Sequence, residues 1–147
     1  MIRSTLAALA LATSVSVALA AAGADAIKER RALMKANGEA TKPIVPMLKG
    51  TAPFDLTTVQ KALKTYGDAA AKMPALFPPD SKTGDTNALP AIWDNMDDVK
   101  ARFAKLGKDA EVALVSVKDE GSFKAIMPDF FKNNCRGCHE KYRAKLN

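Results

Sequence analysis

The stretch Cys135-Arg136-Gly137-Cys138-His139, close to the end of the chain, decides how the sequence is interpreted. Cys-x-x-Cys-His is the pattern of covalent haem c attachment, in which both thiols add to vinyl groups and the imidazole ligates the iron. Only eight residues follow His139, and none of them is Met or His. A ligand for the opposite face of the iron must therefore come from far upstream, or be absent.

The spacing of this motif suits an α-helix. Residues at positions i, i+3, i+4 and i+7 share one face, which places Cys135, Cys138, His139 and Tyr142 on one stripe. We therefore expect the haem to lie along this stripe.

Three other interpretations of the two cysteines are weaker. A zinc site needs about four ligands, whereas the chain contains only two Cys and one His, all within the motif. A redox-active dithiol usually opens a helix after a strand, and the sequence shows no βαβ pattern. A structural disulfide is the third alternative.

The N-terminal residues have the features of a secretory signal peptide, which we assign to residues 1–20. Arg3 is the only charged residue there, and an apolar stretch extends from Leu6 to Ala20. Ala18-Leu19-Ala20 fits the small-x-small pattern of a cleavage site. Cleavage after Ala22 or Ala24 is an alternative.

The remaining residues, 21–147, are expected to form one soluble domain with a single core. The N-terminal apolar run is short and rich in Ala, and no second run exists, so no membrane span is predicted in the mature chain. Export to the periplasm agrees with the motif, because covalent haem attachment in bacteria takes place outside the cytoplasm.

Charge gives little indication of a macromolecular partner. The formal net charge is +6, and basic residues are scattered among acidic ones. Nucleic acid is therefore not expected as a partner, and weak steering of an anionic partner is the most that this distribution predicts.

The apolar residues recur with helical periodicity, and no strand-like alternation stands out. Four segments are predicted to be helical, at about 25–39, 55–73, 90–118 and 122–145. Residues 77–90 form the one long loop. Four amphipathic helices joined mostly by short loops predict an all-α, antiparallel four-helix bundle.

Several residues are predicted to set the ends of these helices. Pro43 and Pro46 interrupt the continuation of the first helix. Asp55 is expected to cap the second helix with its side chain. Gly121 is expected to end the third helix, and Ser122 to cap the fourth.

A Cys-x-x-Cys-His motif on the last helix of such a bundle resembles cytochrome c′, the class II cytochromes c. The resemblance covers essentially the whole mature chain. It is carried by residues 25–30 (DAIKER), 49–55 (KGTAPFD), 74–77 (PALF), 83–86 (TGDT), 90–93 (PAIW) and 135–143 (CRGCHEKYR).

The resemblance implies roles for five polar residues near one covalent haem c. Arg30 matches a first-helix Arg that pairs with a haem propionate, and its alternative is a surface Arg. Arg31 falls near the haem edge, where the family often has Gln or Lys. Asp85 and Thr86 fall in a loop that approaches the propionates, although they could simply be turn and cap residues. Arg143 matches a basic residue on the proximal side, or is a surface Arg near a helix C-terminus.

The resemblance makes Met34 the residue on which function depends. Met34 follows Arg30 by four residues and shares its face. The family places a bulky apolar residue here, over the vacant side of a five-coordinate, high-spin iron. This arrangement implies binding of small gases, nitric oxide and carbon monoxide, together with redox capacity. The alternative is a low-spin electron carrier similar to cytochrome c556, with Met34 as the sixth ligand and the only suitable methionine.

Other functional expectations are limited. The chain has no second His and no evident acid–base pair beside the iron, so we do not expect an enzyme. Redox proteins are expected partners. The resemblance also implies a homodimer formed through the first two helices.

Overall fold

Within residues 7–145, seven α-helices connect through short turns and one long loop. The computed structural model describes the backbone of residues 7–145 and the side chains of residues 22–145. The helices are α1 (Ala7–Thr41), α2 (Ile44–Leu48), α3 (Leu56–Lys72), α4 (Ala91–Asp94), α5 (Met96–Ser116), α6 (Glu120–Phe131) and α7 (Gly137–Tyr142). Together α1, α3, α5 and the α6–α7 segment form the predicted antiparallel four-helix bundle.

The core lies where α3 and α5 pack along each other and α6 covers them. Val59, Leu63 and Tyr66 of α3 and Phe123 of α6 are almost fully buried, as the helical periodicity predicts. The Tyr66 ring lies 5.7 Å from that of Phe130. Burial of each large apolar side chain stabilises the fold by about 1.5–3 kcal/mol, so this core holds the bundle together.

The predicted first helix, at 25–39, lies within the longer α1. Residues 1–6 and the side chains of 7–21 lie outside the described part of the chain, so the predicted signal peptide and its cleavage remain predictions. From Gly23 onward, α1 packs on the 3-10 turn Pro79–Ser81 of the long loop. None of the described helices is long and apolar enough to cross a membrane.

The second helix has the predicted start. Asp55 lies in extended conformation, and its side chain accepts hydrogen bonds from the amides of Thr57 and Thr58. The predicted third helix is divided into two, because Asn95 leaves the helical conformation and separates α4 from α5.

The chain leaves α2 through Gly50, whose φ of 71° favours glycine.

Two details of the fourth helix were predicted wrongly. The residue that caps α6 is Asp119 rather than Ser122. Asp119 accepts a hydrogen bond from the Ser122 amide, and the Ser122 hydroxyl lies 3.1 Å from the Asp119 amide in return. This reciprocal capping box starts the helix two residues earlier than predicted.

The fourth helix is also not one continuous α-helix up to residue 145. A π-helical segment, Lys132–Arg136, separates α6 from α7. Wider π turns break the α-helical register, so the predicted α-helical stripe through Cys135 is wrong. The chain becomes extended at Arg143, which pairs with Ala88 of the long loop. The amide of Ala144 donates to the carbonyl of Asn87 at 2.8 Å, and these bonds replace the last helical turn.

Candidate functional site

A cavity of about 440 Å³ opens between α1, the long loop, α5 and α7. Its size is within the range of small-molecule and cofactor sites. Most of its wall is apolar and comes from Met34, Met73, Phe77, Ile92, Val99 and Phe103. A cavity of this kind favours a large apolar ligand.

Most of the residues predicted to form the site line this cavity. Helix α7 contributes Cys138 and His139, and α1 contributes the three residues that the helical spacing places on one side. The predicted residues in the wall are Arg30, Arg31, Met34, Thr86, Cys138, His139 and Arg143. The structure therefore joins the first helix to the last around one space, as predicted.

Cys135 and Asp85 do not line this cavity. Cys135 belongs to the π-helical segment and lines a second cavity of about 620 Å³, together with Thr41 and Phe131. His139 borders both cavities. The two cysteines are free thiols in the structure, so they do not form the disulfide considered above.

The surroundings of the motif favour uncharged side chains. Burial, followed by the charge of Arg143, lowers the pKa of His139, so its imidazole is neutral and has a lone pair for a metal. Burial raises the pKa of the Cys135 thiol to about 11, with a smaller contribution from Cys138. Burial also raises the pKa of Cys138. Both thiols are therefore protonated at neutral pH.

Arg30 is buried, with 4% of its surface exposed, so the alternative of a surface Arg is wrong. Its Nη1 donates to the Leu76 carbonyl at 2.9 Å and to the Ser81 hydroxyl at 2.8 Å. Its Nη2 donates to the Ser81 carbonyl at 2.8 Å and to the Thr86 hydroxyl at 2.9 Å. The guanidinium carbon lies 5.1 Å from the centroid of the Phe77 ring.

All of the acceptors that the described residues give Arg30 are neutral oxygens. Burial lowers the pKa of Arg30, yet a guanidinium stays charged in proteins. A buried positive charge is expensive unless it is paired. The cavity wall therefore contains a cation whose charge a bound anion would balance.

The remaining predicted residues are less buried than Arg30. Arg31 pairs with Asp85, but 52% and 89% of their side chains are exposed, so the pair contributes little to stability. The Thr86 hydroxyl accepts a second hydrogen bond from the amide of Ala88 at 3.1 Å, so it also shapes the loop. Arg143 is exposed beside His139.

Sequence reasoning missed two residues of the wall, the buried Met73 and the half-buried Phe77. Met73 is fully buried and lines the cavity, so Met34 is not the only thioether there. Met73 lies at the C-cap of α3, where helical periodicity gives no signal. Phe77 lies in the Pro-rich loop and packs edge-on against Trp93 at 5.8 Å. Its aromatic character within a loop was the one available indication.

Comparison with known proteins supports a single assignment. The family described as cytochrome c′ matches residues 25–143. Cytochrome c′ of Rhodopseudomonas palustris is 50% identical over 122 residues, covering 82% of this chain and 83% of that protein. Cytochrome c-556 of Agrobacterium tumefaciens is 37% identical over 119 residues, covering 81% of this chain and 97% of that protein.

Solved structures agree with the sequence matches. Cytochrome c′ from R. palustris superposes with a TM-score of 0.80 at 49% identity, covering 84% of this chain and 98% of that one. A structure of oxidized R. palustris cytochrome c556 gives a TM-score of 0.75 at 29% identity, with the same coverage. The chain belongs to the cytochrome c′ family, whose cofactor is a covalent haem c.

Proposed function

We propose that this chain is a periplasmic haem protein that binds small diatomic gases, nitric oxide and carbon monoxide, at a five-coordinate, high-spin iron. Cys135 and Cys138 would attach the haem, and His139 would bind its iron. The Cys-x-x-Cys-His spacing, the free thiols and the neutral imidazole support these roles. When bound, the haem supplies reversible gas binding and one-electron redox chemistry.

The residues around the cavity fit this group, and Cys135 lies outside it, in the second cavity that His139 also borders. A haem has an apolar ring, which matches the apolar wall, and two propionates, which match a cationic rim. Four hydrogen bonds hold Arg30 in place, and its positive charge would pair with a propionate carboxylate. Arg31, Asp85 and Thr86 order the loop beside it, and Arg143 adds a positive charge near His139.

The observation that carries the proposal is the apolar surface around Met34 within the cavity that His139 also lines. Met34, Met73 and Phe103 carry no hydrogen-bond donor, so this part of the wall favours a small neutral diatomic over water or an anion. The Met34 side chain must be displaced by such a ligand, so it selects by size and opposes weak ligands.

A second candidate function is electron transfer with a thioether as sixth ligand. Two methionines, Met34 and Met73, line the cavity. A thioether opposite His139 would exclude gases and raise the redox potential. The relatives include proteins called cytochrome c-556, so this alternative lies within the same family.

The spin state of the ferric protein separates the two functions. We expect the absorption and electron paramagnetic resonance spectra of the wild type to be high-spin. A low-spin spectrum with a thioether-to-iron charge-transfer band would contradict the gas-binding proposal and favour the electron carrier.

Substitution of Met34 tests the same point, with Met73 as matched control. In a high-spin protein, a ligand must displace the Met34 side chain, and this displacement costs about 1.5–3 kcal/mol. Met34→Ala removes this cost. The affinity of the ferrous protein for carbon monoxide should then rise roughly ten- to a hundredfold. Met73→Leu should change it little. An equal effect of both substitutions would contradict a special role for Met34.

Localisation and partners complete the proposal. Residues 1–20 direct export, and residues 21–147 form the mature domain. The chain has no second His, and the protein is proposed to be a carrier rather than an enzyme. Redox proteins and a second copy of the chain remain predicted partners, and sedimentation would test the homodimer.

A further inference from the structure

One carboxylate of α5 gathers three donors beside the cavity. The Oδ2 atom of Asp98 accepts hydrogen bonds from the hydroxyl of Tyr142, from Lys141 Nζ at 3.0 Å and from Arg102 Nε at 2.9 Å. Two of these three donors belong to α7, the helix that carries Cys138 and His139. Asp98 therefore ties the end of α7 directly to α5.

Tyr142 is held from both ends. Only 3% of its surface is exposed, and its ring lines the same cavity as His139. Its carbonyl accepts a hydrogen bond from the amide of Leu89 at 3.0 Å. Lys141 Nζ and the Arg102 guanidinium lie 5.0 and 5.8 Å from the ring centroid, within range of cation–π attraction.

The donors in this network keep the Asp98 carboxyl ionised. The groups that face Asp98 are Arg102 of its own helix and Lys141 and Tyr142 of α7. Hydrogen bonds from Tyr142, Arg102 and Lys141, in that order, hold the pKa of the Asp98 carboxyl well below its ordinary value. Asp98 is therefore ionised across the physiological range.

A helix as short as α7 depends on such contacts. It has six residues, and isolated helices shorter than about 12–15 residues are marginal in water. It also follows a π-helical segment, so the preceding helix does not enforce its register. Its orientation must come from tertiary contacts. His139 precedes Tyr142 by three residues and is its neighbour on the helix surface.

We infer that Asp98 is a positioning residue for the haem site: by holding Tyr142 and Lys141 it sets the rotation of α7 and hence the plane of the His139 imidazole. The inference rests on the proposed ligation of iron by His139. Asp98 does not itself line the cavity. Its contacts with α7 are those with Tyr142 and Lys141, so it acts on His139 only through that helix.

The test compares Asp98→Asn and Tyr142→Phe with Asp97→Asn in the haem-loaded protein. Asp97 is the exposed neighbour on the same helix, so this control removes the same charge without touching the network. The readout is the set of hyperfine-shifted haem methyl resonances of the ferric protein. Their spread depends on the orientation of the axial imidazole, and they are observed for both spin states.

We expect Asp98→Asn and Tyr142→Phe to shift these resonances in the same direction, and Asp97→Asn to leave them in place. Tyr142→Phe keeps the ring in the cavity wall, so it remains informative if Asp98→Asn folds poorly. Wild-type resonances in both variants would overturn the inference, even if the proteins unfolded at lower urea concentration. A wild type that carries no haem would overturn the proposed function as well, so the two failures are distinguishable.

Discussion

Arg30 shows how one side chain can serve the fold and the site together. Its four hydrogen bonds connect α1 to Leu76, just before the long loop, and to Ser81 and Thr86 within it. The same guanidinium lines the cavity and lacks an anionic partner among the described residues. Removing it would leave buried carbonyl and hydroxyl oxygens without their donors.

We therefore expect Arg30→Ala to lower the free energy of unfolding by about 2–5 kcal/mol, because each unsatisfied buried acceptor costs about 1–3 kcal/mol. Urea unfolding followed by circular dichroism measures the loss. The matched control is Arg31→Ala, which removes an exposed ion pair and should change stability by less than about 0.5 kcal/mol. Equal losses in the two variants would show that water replaces the bonds of Arg30.

The residues of the site were predictable where helical spacing applies. Arg30 and Met34 lie four residues apart on α1, and Cys138 and His139 are adjacent on α7, so the sequence brought them to one cavity. Met73 was missed because it lies at a helix end, where neither periodicity nor a motif indicates direction. Asp98 was also missed, because its importance comes from Tyr142, 44 residues away.

At the scale of elements, α1 approaches the long loop most closely at Gly23. A Cβ atom built there would lie 2.5 Å from the backbone oxygen of Asp80, which no side chain tolerates without backbone movement. The predicted cleavage after Ala20 or Ala22 would keep Gly23 and this contact in the mature chain, whereas cleavage after Ala24 would remove them.

Gly23→Ala should accordingly destabilise the exported protein, because the methyl group meets the backbone of Asp80. Gly38→Ala is the matched control on the same helix. Nothing lies within 4 Å of its Cβ position, so this change should add about 0.5–1 kcal/mol of stability through helix propensity. Thermal unfolding compares the two, and intact mass gives the mature N-terminus. Cleavage after Ala24, with no effect of Gly23→Ala, would contradict the predicted packing.

The ends of the helices were harder to predict than their existence. Asp55 was identified as a cap because it precedes a clear apolar rhythm. Ser122 was predicted to cap the fourth helix, whereas in the structure Asp119 is the cap and both residues take part in one capping box. The π-helical segment at Lys132–Arg136 leaves no trace in the pattern of apolar residues. Arg143 leaves the helix because it pairs with Ala88, a tertiary contact.

For the whole molecule, the amphipathic rhythm of four segments was sufficient to predict the bundle. Residues such as Leu63, Phe103 and Phe123 had to be buried, and only helix-on-helix packing buries all of them. The path of the loop between α3 and α4 could not be predicted in this way. It depends on the hydrogen bonds that Arg30 donates to Ser81 and Thr86, which lie about 50 residues away in the sequence.

The distribution of charge makes the whole molecule sensitive to acid. Hydrogen bonds from Thr58 lower the pKa of Asp55, and those from Ser122 lower the pKa of Asp119. Hydrogen bonds from Tyr142, and then from Arg102 and Lys141, lower the pKa of Asp98. A carboxyl whose pKa is lower in the folded state stabilises the fold above its unfolded pKa, near 3.9 for Asp, and this stabilisation is lost as the pH falls. Protonation of the 16 Asp and Glu side chains also leaves the 22 Lys and Arg charges unbalanced.

We therefore predict that the free energy of unfolding changes little between pH 5 and 8 through these groups and falls steadily below about pH 4. Asp98→Asn should be less stable than the wild type near neutral pH, and the difference should shrink as acid protonates Asp98 in the wild type. Urea unfolding at a series of pH values measures both curves, with Asp97→Asn as the control for loss of one negative charge. If the wild-type and Asp98→Asn curves stay parallel down to pH 2, the contact of Asp98 with α7 depends on its shape alone. The charge of the carboxylate would then contribute nothing to the free energy of unfolding.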